Sequence, residues 1–212
     1  HTIMAQGCAT MEDDHNTHGA PLPAEEIKKT KEKLGLDPNE YFQLTNDVLQ
    51  IFQGGFDSAR KERAAWDLAL ESRLADTDFN KFWNLAYSGG VPKIDLPVYD
   101  PDQKIATRKV WGPFIEKLAI KHPTFVGGSA DLEPSNVTSG FAKLVDDFNR
   151  DNHRGRNFAY GVREFPMGTI NNGIALHGGV KVFGATFFVF SDYERPAIRL
   201  RAIQKLPVVS EY

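Results

Sequence analysis

Short apolar runs alternate with helical stripes along the second half of the chain. Four of these runs predict strands, at 124–126, 158–160, 185–190 and 206–209. Between the runs, apolar residues recur one helical turn apart, which predicts helices over 104–121, 141–149, 166–175 and 194–205. Strands that alternate with helices are typical of a mainly parallel sheet covered on both faces. We therefore predict an α/β fold for this half of the chain.

The first half carries a different pattern. Residues 1–11 are compatible with a strand followed by a loop, and residues 25–34 with a polar helix that ends before Gly35. From 45 to 85 the apolar residues fall at helical spacing, which predicts helices of a connection between domains. Glycines and prolines recur over 88–101, which predicts a linker.

Glu164 lies where a predicted strand gives way to a predicted helix. Pro166 suits the first position of that helix, because its missing N–H would have no partner there. Apolar neighbours are expected to shield the Glu164 carboxylate from water: Phe158, Val162, Phe165 and Met167. A shielded carboxyl without a cation favours its neutral form and can share a proton with a ligand nitrogen. The alternative is a surface glutamate that the helix dipole stabilises.

Composition narrows the possible functions. The 212 residues are 41% hydrophobic and 25% charged, which is ordinary for a globular protein. The 25 basic and 28 acidic residues are interspersed, so we expect neither nucleic acid nor a membrane as a partner. No apolar run is long enough to span a bilayer and no secretory signal is evident. The single Cys8 cannot form an internal disulfide, and a cytoplasmic location is the expectation.

Three sequence blocks carry a family resemblance: GGSADLEPSNVT at 127–138, GRNFAYGVREFPMG at 155–168 and TFFVFSDYERPAIRLRAI at 186–203. In this order and at this approximate spacing, they resemble the pyrimidine-binding domain of transketolase, a thiamine diphosphate enzyme. One position departs from the family. His-Ala usually follows the glutamate, whereas this chain has Phe165-Pro166, so packing or polarity after the glutamate is expected to differ.

The resemblance assigns cofactor roles. It makes Glu164 the catalytic glutamate that bonds N1′ of the aminopyrimidine, where a shared proton favours the imino tautomer that deprotonates the thiazolium carbon to a carbanion. It places Phe187, Phe190 and Tyr193 around the aminopyrimidine ring, and Asp131 near the cofactor across a subunit boundary. The alternatives are hydrophobic core for the aromatic residues and a cap or turn for Asp131. Phe188 is expected in the core.

The resemblance also assigns substrate roles. It implies that His18, in a His-Gly-Ala-Pro-Leu run, contacts substrate near the reacting atoms as a hydrogen-bond donor or proton relay. Arg108 and Ser135 match positions that bind the substrate phosphate, which suits the donor fork of a guanidinium. The alternatives are a solvated loop histidine and an exposed arginine. His15 and His18 are not expected to form a zinc site, because further ligands are missing.

The resemblance implies a fragment of a longer protein. Residues 1–40 would close the diphosphate-binding domain, 41–102 would be a helical interdomain linker, and 103–212 would be a truncated pyrimidine-binding domain. The family holds the diphosphate through Mg²⁺ or Ca²⁺, with ligands expected in the domain that precedes His1, so no metal ligand is assigned here. The intact protein is expected to be a homodimer.

The expected function follows from the same resemblance. The intact enzyme would transfer a two-carbon ketol group from a ketose phosphate to an aldose phosphate, and the isolated chain would be inactive. Two alternatives stay within the chemistry of the family, dihydroxyacetone synthase and deoxyxylulose phosphate synthase. A third alternative is a non-catalytic pyrimidine-like module for dimerisation or regulation.

Overall fold

The structure, a computed structural model, describes residues 1–87 and 93–212, so residues 88–92 of the predicted linker lie outside the described residues. The chain forms two compact units, His1–Leu70 and Glu71–Tyr212. Within the described ranges, no helix has the length and apolar character needed to cross a membrane.

The first unit is mainly loop and helix. It contains a short 3₁₀ turn at His15–His18, helix α1 at Ala24–Lys33, and most of helix α2 at Asn46–Leu74. The strand predicted within 1–11 is wrong, because these residues form turns. Their backbone is paired with a side chain instead: the N–H groups of Thr10 and Met11 donate to the buried Glu26 carboxylate, at 2.7 and 3.2 Å.

Helices α2 and α3 confirm the helices predicted over 45–85. The second of these, α3, spans Thr77–Tyr87 in the second unit. Its aromatic residues pack one turn apart, with ring centroids 5.9 Å apart for Phe79 and Trp83 and 4.5 Å apart for Trp83 and Tyr87. The α3 surface is therefore organised by ring contacts along its own axis.

A parallel sheet lies at the centre of the second unit. Its strands are β1 at Phe125–Ser129, β2 at Lys181–Ala185 and β3 at Val208–Glu211, in the order β1-β2-β3. Both pairings are parallel, which confirms the predicted sheet type. The register places Val182 of β2 opposite Val126 on one side and Val208 on the other.

Two predicted strands are wrong. Residues 158–160 form no strand, because only Asn157 makes isolated bridges and Gly161 turns the chain at φ +64°. The strand predicted over 185–190 ends at its first residue, and Phe188–Phe190 forms a 3₁₀ turn. An apolar run of this length fits either periodicity, so the pattern alone could not distinguish them.

Helices cover both faces of the sheet. They are α4 at Arg108–Lys121, α5 at Ser139–Val145, α6 at Glu164–His177 and α7 at Ser191–Ile203. Phe183 packs in a core with Ile115 of α4 and Phe141 of α5. The next residue, Gly184, faces the opposite helix, since a Cβ there would lie 2.6 Å from Asn171 Nδ2. Successive strand residues point to opposite faces, so the predicted two-sided α/β architecture is confirmed.

Helix α6 begins two residues earlier than predicted. Pro166 is its third residue, where the missing N–H still has no partner within the helix. The buried face of α6 includes polar residues, because Ile170 is 47% exposed while Asn171 and Asn172 are buried. These amides have partners: Asn171 Oδ1 accepts from Tyr160 at 2.5 Å, and Asn172 Nδ2 donates to the Ala197 carbonyl at 2.9 Å. These hydrogen bonds help polar side chains to occupy the buried face, although Asn172 Oδ1 has no hydrogen-bond partner among the described residues.

Candidate functional site

A cavity of about 440 Å³ opens where β1 ends. Its walls come from the loop after β1, the start of α6 and the segment that enters α7, and consist of Ala130, Asp131, Leu132, Val162, Glu164, Phe190 and Tyr193. A cavity of this size is in the range of small-molecule sites, and its position at the carboxyl ends of parallel strands is where α/β folds bind ligands. Four residues assigned to the cofactor from sequence thus meet at one place.

Glu164 presents a buried carboxylate to this cavity. It is the first residue of α6 and only 8% exposed. Within residues 1–87 and 93–212, no cation forms a salt bridge with it. Part of the predicted shielding is wrong, because Val162 is 77% and Phe165 45% exposed, whereas Met167 is buried. Residue 165 lies about 100° around the helix from residue 164, so its side chain points away from the buried face.

The loop after β1 holds an unusual backbone conformation. Asp131 and Leu132 have φ of +59° and +40°, in the left-handed region that costs energy for residues other than glycine. A hydrogen-bond network fixes the loop: the Leu132 carbonyl accepts from two backbone N–H groups, and Ser129 Oγ lies 2.8 Å from Thr138 Oγ1. Asn136 Nδ2 also donates to Ser129 Oγ, at 3.2 Å. The loop is thereby held rigid beside the cavity.

Three aromatic rings form a stack, two of which line the cavity. Phe187 and Phe190 have centroids 6.1 Å apart and planes 4° from parallel, and Phe190 and Tyr193 are also 6.1 Å apart with planes at 25°. The spacing of three residues brings them together because the segment is a helical turn. Phe190 and Tyr193 line the cavity, whereas Phe187 supports Phe190 from behind. The core prediction for Phe188 is wrong: in a helical turn alternation does not apply, and it is 76% exposed.

Arg108 and Ser135 are exposed on neighbouring elements. Arg108 begins α4, and one turn later Gly112 packs so closely against the loop after β1 that a Cβ would lie 2.6 Å from Val137 Cγ1. Ser135 lies two residues before Val137. The structure thus brings the turn that carries Arg108 to the loop that carries Ser135.

Glu211, a residue that sequence reasoning missed, ends β3 at the same edge of the sheet. Burial raises the pKa of its carboxyl to about 7, and the positive charge of Arg108 offsets part of this rise. Its Oε2 atom is buried and has no hydrogen-bond partner among the described residues. Only the fold places this carboxyl near Arg108, because the sequence contains no motif that relates them.

His18 belongs to the other unit and is exposed at the end of the 3₁₀ turn His15–His18. Asp14 caps this turn by accepting from the N–H of Asn16 at 2.9 Å. The substrate role of His18 therefore stays a prediction. Over the described parts of the chain, no three His, Cys, Asp or Glu side chains are grouped so that they could hold a metal ion.

The buried ion pair between Arg201 and Glu194 was also not predicted from the sequence. Arg201 is only 8% exposed, and its Nη2 donates to Glu194 Oε1 at 2.5 Å. Glu194 is 1% exposed and lies two turns earlier on the same face of α7. Arg195 and Arg199, on the same helix, are exposed. The sequence signal for this ion pair was the spacing of Glu194 and Arg201, because opposite charges seven residues apart lie on the same face of a helix.

Two family models match the chain. "Transketolase, pyrimidine binding domain" matches residues 103–210, and "Transketolase, thiamine diphosphate binding domain" matches residues 1–81. A transketolase of Bacillus subtilis is 41% identical in an alignment that covers 98% of this chain and 32% of that protein. A transketolase of Halalkalibacterium halodurans is 41% identical over 197 residues, 91% of this chain and 29% of that protein.

Solved structures of transketolases are also similar to this chain. Transketolase from Leishmania mexicana superimposes with a TM-score of 0.83 at 33% identity, over 99% of this chain and 31% of that one. Transketolase from Campylobacter jejuni gives a TM-score of 0.71 at 35% identity, over 99% of this chain and 31% of that one. The chain spans about a third of the length of the curated relatives it matches. Because the pyrimidine-binding model alone covers just over half of the 212 residues, the chain belongs to the transketolase family.

Proposed function

We propose that the full-length protein containing this chain is a thiamine diphosphate-dependent transferase. It moves a two-carbon ketol group from a ketose phosphate to an aldose phosphate. The observation that carries the proposal is the cavity in which the buried Glu164 carboxylate, without a salt-bridge partner among the described residues, shares the walls with the stacked rings of Phe190 and Tyr193. A cavity that combines aromatic rings with the carboxylates of Glu164 and Asp131 suits an aminopyrimidine ring.

The lining residues fit that ring in size and in chemistry. Aromatic contacts contribute about 0.5–1.5 kcal/mol per good pair beyond their burial, so the stack of Phe190 and Tyr193 would offer a ring contact to the aminopyrimidine. Glu164 would hold a proton at N1′. Asp131 presents its carboxylate on a rigid loop beside the same cavity. When bound, the cofactor supplies the nucleophilic carbon and the electron sink for the transfer.

Substrate contacts would come from neighbouring elements. Arg108 and Ser135 would bind the substrate phosphate, since a guanidinium offers a fork of donors to phosphate oxygens. His18 would donate a hydrogen bond or relay a proton near the reacting atoms. We propose Mg²⁺ or Ca²⁺ for the diphosphate, with ligands from outside residues 1–212. A cytoplasmic homodimer completes the proposal.

The test uses the purified full-length protein with thiamine diphosphate and Mg²⁺. Calorimetry should show cofactor binding, and mass spectrometry should show a two-carbon transfer between a ketose phosphate and an aldose phosphate. Absence of cofactor binding would contradict the proposal and support a non-catalytic module. Binding with transfer to unphosphorylated acceptors only would correct the substrate class.

A further inference from the structure

Helices α6 and α7 approach each other very closely at Gly168. A Cβ at this position would lie 2.6 Å from both Cγ and Oε1 of Glu194, and 2.8 Å from Cβ of Ala197. Carbon atoms in favourable contact are about 3.5–4.0 Å apart, so no larger residue fits between the helices as they stand. This crossing fixes the separation of the two helices.

Glu194 cannot move away from the crossing. Its carboxylate is buried, accepting from Arg201 Nη2 at 2.5 Å and from the Tyr212 hydroxyl at 2.9 Å. Arg201 is in turn hydrogen-bonded to Ser210 Oγ of β3. Through these bonds the inner face of α7 is anchored to the sheet, and a buried charged network of this kind holds one geometry.

Both helices carry a pocket residue beside the crossing. Glu164 lies one turn before Gly168 on the same face of α6, and Tyr193 directly precedes Glu194 on α7. We propose that Gly168 and Glu194 are positioning residues, which set the distance across the cavity between the Glu164 carboxylate and the Tyr193 ring. The inference rests on the proposed function, because it takes thiamine diphosphate as the ligand of this cavity.

The substitution Gly168→Ala tests the proposal. The added methyl would force the helices apart by roughly 1 Å to restore ordinary contact distances. A displacement of about 1 Å at a catalytic site can cost about a hundredfold in rate. We expect weaker binding of thiamine diphosphate and slower exchange of its C2 proton per bound cofactor. The KM for sugar phosphate should not change, because Arg108 and Ser135 lie on other elements.

Gly173→Ala is the matched control. Gly173 is exposed on the same helix, and nothing lies within 4 Å of its missing Cβ. Alanine favours a helix more than glycine does, so both variants gain the same local helix propensity. Only Gly168→Ala alters the crossing. Both are made in the full-length protein, with calorimetry for the cofactor Kd, thermal unfolding for stability, and NMR of quenched samples for C2-proton exchange.

The outcomes separate positioning from stability. Slower exchange per bound cofactor with an unchanged KM supports the proposal, whereas exchange equal to that of the wild type overturns it, whatever happens to the melting temperature. If Gly168→Ala does not fold, the double variant Gly168→Ala/Ala197→Gly moves one methyl from α7 to α6 and conserves volume. Its exchange should remain below the wild-type rate, because the contact with Glu194 persists, and a wild-type rate overturns the proposal. A wild-type protein that binds no thiamine diphosphate would instead contradict the proposed function.

Discussion

The ring of Phe187 lies almost parallel to that of Phe190, with 4° between the planes and 6.1 Å between the centroids, although only Phe190 lines the cavity. Phe187 therefore acts on the cavity through Phe190. Phe187→Leu should keep an apolar side chain but remove the stacked support, weakening thiamine diphosphate binding by roughly twofold to tenfold, or about 0.5–1.5 kcal/mol. Titration calorimetry of the full-length protein measures this change. Phe188→Leu is the control, because that ring is 76% exposed and should not affect the Kd.

Glu164→Gln should slow exchange of the cofactor C2 proton far more than it weakens cofactor binding. The amide keeps the shape of the helix start but cannot hold the proton at N1′. NMR of acid-quenched samples gives the exchange rate, and calorimetry gives the Kd. Asp192→Asn is a control, because this carboxylate is exposed on α7. An unchanged exchange rate in Glu164→Gln would remove the role proposed for this residue.

Arg108→Ala should raise the KM for a phosphorylated acceptor and leave kcat almost unchanged. Hydrogen bonds to charged groups contribute about 1.5–3 kcal/mol, which corresponds to about one to two powers of ten in binding. The phosphate contact is similar in the ground and transition states, so KM should carry the loss. An unphosphorylated acceptor such as glycolaldehyde should be unaffected. Lys109→Ala, an exposed neighbour, should change neither value, and equal losses for both acceptors would refute the phosphate role.

Glu211 should make the stability fall as the pH rises. Burial raises the pKa of the Glu211 carboxyl from 4.5 to about 7 in the folded state. Between these pH values the folded state therefore binds more protons than the unfolded state. The free energy of unfolding therefore decreases from about pH 4.5 to about pH 7. Urea unfolding across this range should show the slope, and Glu211→Gln should reduce it. An identical slope in the variant would exclude Glu211 as its source.

Arg201→Met should destabilise the fold strongly. It leaves Glu194 with a buried charge and no cation, a change that typically costs about 3–5 kcal/mol. Arg199→Met, on the exposed side of the same helix, should have little effect. Chemical unfolding measures the free energy of unfolding of both variants. The double change Glu194→Leu/Arg201→Leu should recover most of the stability, because apolar residues can replace a buried pair without net loss. A mild effect of Arg201→Met alone would show that the pair contributes little.

Local patterns predicted the architecture well but not its boundaries. The alternation of apolar runs and helical stripes was sufficient for the parallel sheet, because strand and helix periodicities differ clearly over long segments. The run at 185–190 was short and, apart from Thr186, apolar, so its helical turn could not be distinguished from a strand. The same turn places Phe187 behind Phe190 rather than beside the ligand.

Residues that belong to a recognisable sequence block were easier to predict than residues that meet only through folding. The sequence blocks around Asp131 and Glu164 pointed to a common site, and the structure brings both residues to one cavity. The proximity of Glu211 to Arg108 depends on where β3 ends relative to α4, which no local pattern encodes. The burial of Arg201 likewise depends on β3 packing against α7.

The order of the strands has a practical consequence for handling the chain. The outer edge of β1 is occupied, since Gly127 exchanges backbone hydrogen bonds with Arg156 and Phe158. The outer edge of β3 has no neighbouring strand in the described residues, and Val209 on it is 44% exposed. An unpaired edge presents free N–H and C=O groups to other chains. When the 212-residue chain is purified alone, aggregation should begin at β3, and a lysine at position 209 should delay it.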